Sequence, residues 1–214
     1  MGITLYFAPR TKSGRVRWML EELGVAYEQK VVDLEKGEGD RVEYRRLHPL
    51  GEVPTLVDDD LVVIDPTAIC MYLADRFPDR KLAPEVGTPD RAHYYQWLQM
   101  ATNTVEPIVQ TVFDTTVTSP DPVKSPPILA AAMKRWREVA KALDVHMGGK
   151  AYFVGERFSA ADVIMGSILN WAGQMDLLDD YPDLKSYAHY LTSRSAYKKA
   201  AAGARPRFQL KTLA

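Results

Sequence analysis

Leu50-Gly51-Glu52-Val53-Pro54-Thr55-Leu56, followed a few residues later by Ile64-Asp65-Pro66-Thr67-Ala68-Ile69, decides how this chain is read. Val53-Pro54 is an X-Pro step, and the cis form of such a bond turns the N–H and C=O of the preceding residue outward. An extended backbone exposed in that way suits pairing with a peptide-like ligand. Asp65 is a good N-cap and Pro66 suits the first helical position, so a helix is expected to open there. A helix start carries free N–H groups that favour an anion. Outward-facing backbone beside a helix N-terminus fits a small anionic peptide.

Working outward, the first third of the chain changes period repeatedly. Ile3 to Phe7 reads as a buried strand, rich in β-branched and aromatic residues. From Ser13 to Leu23 the period is helical, with Val16, Met19, Leu20 and Leu23 on one stripe and Gly24 as the stop. Ala26 to Val32 returns to strand character. The charged stretch Lys36 to Arg46 is expected to hold a short irregular helix. Thr55-Leu56-Val57 and Leu61-Val62-Val63-Ile64 flank Asp58-Asp59-Asp60, which reads as a hairpin turn, and Ile69, Tyr72, Leu73 and Phe77 stripe the helix that follows. Strand-helix-strand, then a hairpin and a covering helix, is the pattern of an α/β thioredoxin-like domain. It is expected over residues 1–80.

Pro78, Pro84, Gly87 and Pro89 mark a linker, and residues 90–214 read as an all-helical domain. Tyr94, Trp97, Leu98 and Ala101 form one apolar stripe there, and Leu129, Met133, Trp136 and Ala140 another. Ser119-Pro120-Asp121-Pro122 and Ser125-Pro126-Pro127 break the pattern between them. Phe158-Ser159-Ala160-Ala161-Asp162 is a capping-box start, Ser159 being the N-cap and Asp162 its structural partner.

Composition narrows the function classes. The 214 residues are 46% hydrophobic, and 27 basic residues against 28 acidic leave a formal net charge of -1. Such a balance gives no support to a nucleic-acid footprint or a polybasic membrane patch. A single cysteine, Cys70, excludes an intramolecular disulfide, a Cys-x-x-Cys redox pair and a Cys-rich zinc site. Inside a helical stripe, Cys70 reads as a small buried hydrophobe. His48, His93, His146 and His189 have no metal-ligand spacing. No signal peptide or apolar run of spanning length is visible, so a cytoplasmic location is expected.

The Val-Pro-Thr-Leu step, the hairpin, the Asp-capped helix and the helical second half together resemble the glutathione S-transferase family over essentially the whole chain. The resemblance is to bacterial members with a Ser/Thr hydroxyl loop. It implies a homodimer that uses glutathione as co-substrate, without a metal, in conjugating its thiolate to small apolar electrophiles, a detoxification chemistry. A non-catalytic ligand- or partner-binding protein of the same fold, or a glutathione-dependent peroxidase or dehalogenase, are the alternatives that the resemblance leaves open.

The chemistry requires a thiolate. Bringing a thiol of pKa about 8.5 below neutrality takes roughly two units, or about 2.7 kcal/mol. A hydrogen bond to a charged group is worth about 1.5–3 kcal/mol and a helix N-terminus adds about 0.3–1 kcal/mol, so one aimed hydroxyl at a helix start suffices. Thr11, Ser13 and Tyr6 are the candidates, in that order. Pro9-Arg10-Thr11-Lys12-Ser13-Gly14-Arg15 looks like the family's Pro-Arg-Ser-x-Ser-x-Arg loop, in which the residue at Thr11's position usually carries the hydroxyl. Leu5-Tyr6-Phe7 resembles the strand-end tyrosine of other classes. Ser13 has a plain alternative as helix N-cap, and Tyr6 as core. Lys12 stands near the cysteine of the Cys-type classes.

By the same resemblance, Arg10, Glu52, Val53, Pro54, Asp65, Pro66 and Thr67 form the glutathione site, and Asn103, Glu106 and Phe113 contribute to an electrophile pocket. The family usually places Glu-Ser or Gln-Ser where this chain has Asp65-Pro66, and that serine binds the γ-glutamyl carboxylate. Pro66 offers neither hydroxyl nor N–H. Thr67 is the expected substitute, with Asp65 on the γ-glutamyl ammonium.

Overall fold

The computed structural model describes residues 2–118 and 126–202. The Pro-rich break expected from Ser119 lies largely outside these residues. The described residues fall into two compact units, 2–83 with 194–202, and 84–193.

The first unit is built on a four-stranded mixed sheet of order β2-β1-β3-β4. Strand β1 (Ile3–Phe7) runs parallel to β2 (Tyr27–Val31) and antiparallel to β3 (Thr55–Asp58), which pairs with β4 (Leu61–Ile64). A parallel pair needs a crossover, and α1 (Ser13–Leu23) supplies it. Gly24 ends α1 in the left-handed region, its N–H returning to the carbonyls of Leu20 and Glu21. The expected hairpin forms with Asp59 at φ +55°. Helix α3 (Pro66–Arg76) follows it, packed on α1. Leu5, Val16, Met19, Leu20, Leu23, Leu56, Ile69, Cys70 and Leu73 are fully inaccessible and make the core.

Between β2 and β3 lie a single 3-10 turn at Glu38–Asp40 and the short helix α2 (Val42–Arg45). Here two glycines meet backbone to backbone. A Cβ on Gly39 would stand 2.2 Å from the Gly51 carbonyl oxygen, and one on Gly51 would stand 2.4 Å from that of Gly39. Gly51 also has φ +66°, so no other residue fits without rebuilding the turn. The contact fixes the loop that carries Glu52, Val53 and Pro54.

The second unit is helical. Helix α4 (Pro89–Met100) continues through a π-helical segment, Ala101–Val105, into α5 (Glu106–Phe113). Helices α6 (Pro126–Met147), α7 (Ala160–Gly173) and α8 (Pro182–Ser193) complete it. Eleven of the fourteen residues of α7 are buried, so α7 is the centre of this unit. Its start is the expected capping box. Fully buried Asp162 accepts the N–H groups of Phe153 and Ser159, the Ser159 hydroxyl and the Tyr187 hydroxyl, all at 2.8–3.1 Å.

Helix α9 (Ser195–Ala201) belongs with the first unit, although the sequence pattern groups it with the helices before it. It packs on α1. Arg194 grips Glu22 through Nε at 2.6 Å and Nη2 at 2.7 Å, Trp18 Nε1 donates to the same carboxylate at 2.9 Å, and the Tyr197 ring meets Trp18 edge-on at 5.0 Å.

Candidate functional site

Strand register brings the candidate site residues of the first unit to one end of the sheet. Tyr6 pairs with Thr55 and Thr55 with Ile64, so the C-terminal ends of β1 and β4 flank the N-terminal end of β3. The loop of Arg10 and Thr11 that follows β1, the Val53-Pro54 step before β3 and the Asp65–Thr67 start of α3 therefore emerge together. The Val53-Pro54 bond is cis.

The β1–α1 loop ends in a hydroxyl cluster. Thr11 Oγ1 lies 2.6 Å from Ser13 Oγ and 2.8 Å from the Ala8 carbonyl oxygen, which is also 2.9 Å from Ser13 Oγ. The Ala8 N–H donates to Ser13 Oγ at 3.2 Å, and the Ser13 N–H to Thr11 Oγ1 at 3.2 Å. Two hydroxyl protons serve three contacts. Either Ser13 donates to Thr11 and Thr11 to Ala8, or Ser13 donates to Ala8 and Thr11 to Ser13. Ser13 is fully buried, whereas Thr11 is partly exposed. An acceptor arriving from solvent meets Thr11. Ser13 is not the N-cap: the helix opens at Ser13 itself, Lys12 holds the cap position without a side-chain capping hydrogen bond to the helix, and the Ser13 hydroxyl turns back to Ala8. Arg10 sits at φ +61° with its guanidinium 3.8 Å from Glu35, both well exposed.

Tyr6 is elsewhere. Side chains alternate along a strand, so it faces away from Leu5 and Phe7. Its ring lies 5.6 Å from that of Tyr44, and it lines a cleft of about 640 Å³ with Lys30, Val31, Tyr44 and Leu47. Neither Thr11 nor Ser13 lines this cleft.

The Pro54 loop is held from α2. Tyr44 donates its hydroxyl to the Glu52 carbonyl at 2.6 Å and lies 3.0 Å from Thr55 Oγ1. Pro54 and Thr55 are buried, Val53 half-buried and Glu52 exposed. Tyr44 and the Gly39–Gly51 contact support this loop, and periodicity alone gives no sign of either. Gly51 had a signal, since a glycine in a loop between periodic segments marks a special backbone conformation.

At the start of α3, Asp65 is the N-cap at φ +72°, its Oδ1 accepting the N–H groups of Thr67 at 2.8 Å and Ala68 at 3.1 Å. Pro66 and Thr67 are buried, and Thr67 Oγ1 is enclosed without a hydrogen-bond partner.

The expected pocket residues of the second unit differ in setting. Asn103 is exposed and donates to Gln99 at 2.6 Å. Glu106 is buried, as is Phe113, which packs edge-on to Trp171 at 5.3 Å between ring centres. Asn103 lies in a π-helical segment, a feature often found near functional sites. Cys70 is fully enclosed, and burial pushes its thiol well above the ordinary range. Among the described residues no group of His, Cys, Asp and Glu is arranged to hold a metal ion, and no helix is long and apolar enough to cross a membrane.

Comparison with known proteins places these features in a family. Residues 1–75 match the glutathione S-transferase N-terminal domain and residues 107–194 the C-terminal domain. Glutathione S-transferase 3 of Schizosaccharomyces pombe is 28% identical over 216 residues, covering 93% of this chain and 86% of that protein. Glutathione S-transferase F10 of Arabidopsis thaliana is 26% identical over 94% of this chain and 97% of its own. Glutathione S-transferase 1 of Dianthus caryophyllus reaches 43% identity over 94 residues, 44% of this chain and 42% of the relative. Among solved structures, a glutathione transferase of Phanerochaete chrysosporium in complex with oxidised glutathione aligns with TM-score 0.82 and 26% identity, covering 92% of this chain and 94% of the other. The thioredoxin-like sheet domain and the helical domain are thus those of known transferases. With two domain models matching in order along most of its length, the chain belongs to the glutathione S-transferase family.

Proposed function

We propose that this protein conjugates the thiolate of glutathione to a small apolar electrophile, with Thr11 donating to the sulfur and Ser13 positioning Thr11. The Thr11–Ser13–Ala8 cluster is the observation that carries this reading. When sulfur accepts the Thr11 proton, Ser13 is left free to donate either to Ala8 or to Thr11 itself. In the second case the two hydroxyls form a chain toward the thiolate, and such chains strengthen one another. Site and ligand then agree in magnitude, since one charge-assisted bond of about 1.5–3 kcal/mol covers most of the cost of the thiolate at neutral pH.

In this reading Val53 pairs with the cysteinyl backbone of glutathione and Asn103, Glu106 and Phe113 belong to the electrophile side. The protein acts as a cytoplasmic homodimer in detoxification, without a metal. Arg10 and Glu52 flank the peptide. Tyr6, placed against Tyr44, takes no part in activating sulfur.

Ultraviolet titration of bound glutathione tests this. Thr11→Ala is expected to raise the thiol pKa by about one to two units, the loss of about 1.5–3 kcal/mol of stabilisation, with little change in affinity. Ser13→Ala raises it less, and Tyr6→Phe leaves it unchanged. A titration unmoved by Thr11→Ala removes Thr11 from the mechanism, and no bound thiolate in the native protein removes the reaction.

A further inference from the structure

The backbone N–H groups of Thr67 and Ala68, in the first turn of α3, are already engaged. An α-helix opens with four backbone N–H groups that lack helical partners, and these make its N-terminus an anion site. Here Pro66 has no N–H. Those of Thr67 and Ala68 are both bonded to Asp65 Oδ1, and that of Ile69 makes the first helical bond, to the Asp65 carbonyl at 2.9 Å. The nearest hydroxyl, Thr67 Oγ1, belongs to a residue only 7% exposed and is itself sealed from solvent. What the turn presents outward is the exposed carboxylate of Asp65. The Thr67 N–H, which the family resemblance gives to the γ-glutamyl carboxylate, is taken by a carboxylate of the chain itself.

From this we infer that the site does not read the carboxylate of the γ-glutamyl end, and that its co-substrates are thiol peptides presenting a cationic amine at α3, with or without an adjoining carboxylate. The inference rests on the thiol site proposed above and deepens it. Asp65 attracts an ammonium group and repels a neighbouring carboxylate, and the N–H groups of Thr67 and Ala68, already bonded to Asp65 Oδ1, do not offset that repulsion. Thr67 does not take over the missing serine's role, because its N–H is spent and its hydroxyl enclosed. A peptide that keeps the amine and the cysteine but lacks the α-carboxylate loses nothing here.

Calorimetric titration of the full chain with two peptides decides the matter. One is glutathione. The other is 4-aminobutanoyl-cysteinylglycine, which differs only in lacking the α-carboxylate of the γ-glutamyl group. The decarboxylated peptide is expected to bind as tightly as glutathione or more tightly. Asp65→Asn keeps an oxygen for the cap but removes the charge, and is expected to tighten glutathione about fivefold relative to the decarboxylated peptide, the worth of one exposed charge pair. Glutathione binding more tightly than the decarboxylated peptide to the native protein overturns the inference and leaves the thiolate reaction standing. Binding of neither peptide overturns both. Should Asp65→Asn fail to fold, the comparison in the native protein still decides.

Discussion

Removing the guanidinium of Arg194 should destabilise the first unit more than removing the carboxylate it holds. Glu22 is only 8% exposed at its side chain and Arg194 26% exposed, with two bonds of 2.6 and 2.7 Å between them. Breaking a fully buried pair by deleting one partner costs about 3–5 kcal/mol, and an exposed pair is worth about 0.2–1 kcal/mol. This pair lies nearer the buried limit, so Arg194→Met is expected to cost about 2–3 kcal/mol. Most of that cost is the Glu22 charge, left in the interior with one Trp18 N–H as its partner. Glu22→Gln keeps an acceptor for Trp18 and leaves the more exposed Arg194 able to reach water, so about 1–2 kcal/mol is expected. The double variant Glu22→Gln/Arg194→Met removes the stranded charge and should be more stable than Arg194→Met alone. Urea unfolding followed by tryptophan fluorescence gives all three values, provided that the slope with denaturant is unchanged. A double variant less stable than the Arg194→Met single variant would refute the reasoning.

Gly51→Ala should cost more than about 2 kcal/mol and weaken thiol-peptide binding together, because its Cβ would stand 2.4 Å from a backbone oxygen at φ +66°; a stable variant with native affinity argues against a fixed Pro54 loop. Burial pushes Asp162 up to about 6 against the pull of its four donors. Its folded-state value is thus above the unfolded one, so the folded protein binds this proton more tightly and the linked stability is present below about pH 4 and lost as pH rises to about 6. Relative to Asp162→Asn, the native second unit should lose about 1.4 kcal/mol of stability for each pH unit between those two values, read from urea midpoints at each pH, and the opposite slope would contradict it. Cys70, enclosed and with its thiol raised by burial, should resist thiol reagents in the native protein and react only on unfolding; fast modification without loss of structure would disprove its enclosure.

Much of the first unit was legible because its signals are local. The stripe from Val16 to Leu23 with Gly24, the Asp58–Asp60 turn and the Asp65-Pro66 start each depend on residues within one or two turns of one another. The Ser159–Asp162 box is of the same kind. What escaped is what depends on distant backbone. Ser13 has the composition of an N-cap, yet its hydroxyl bonds across the loop to Ala8, and nothing in the spacing tells one from the other. Tyr6 and Thr11 are close in sequence, but the alternation of β1 and the turn after it send them to different surroundings. Asp65 was legible as a cap and as a charge. That one oxygen takes the N–H groups of both Thr67 and Ala68 follows only from the folded structure. The place of α9 is also non-local, since its apolar and charged partners lie in α1.

The pairing of α9 with α1 has a consequence for the order in which the molecule is made. Glu22 and Arg194 are separated by 172 positions, and all the described residues of the helical unit are encoded between them. At about 5–20 residues per second on the ribosome, roughly 9 to 34 seconds pass between synthesis of the two. For that time Trp18 and Glu22 remain uncovered on a nascent first unit. Among the described residues the sheet unit is therefore begun first and finished last, and a chain interrupted before residue 194 leaves that face open.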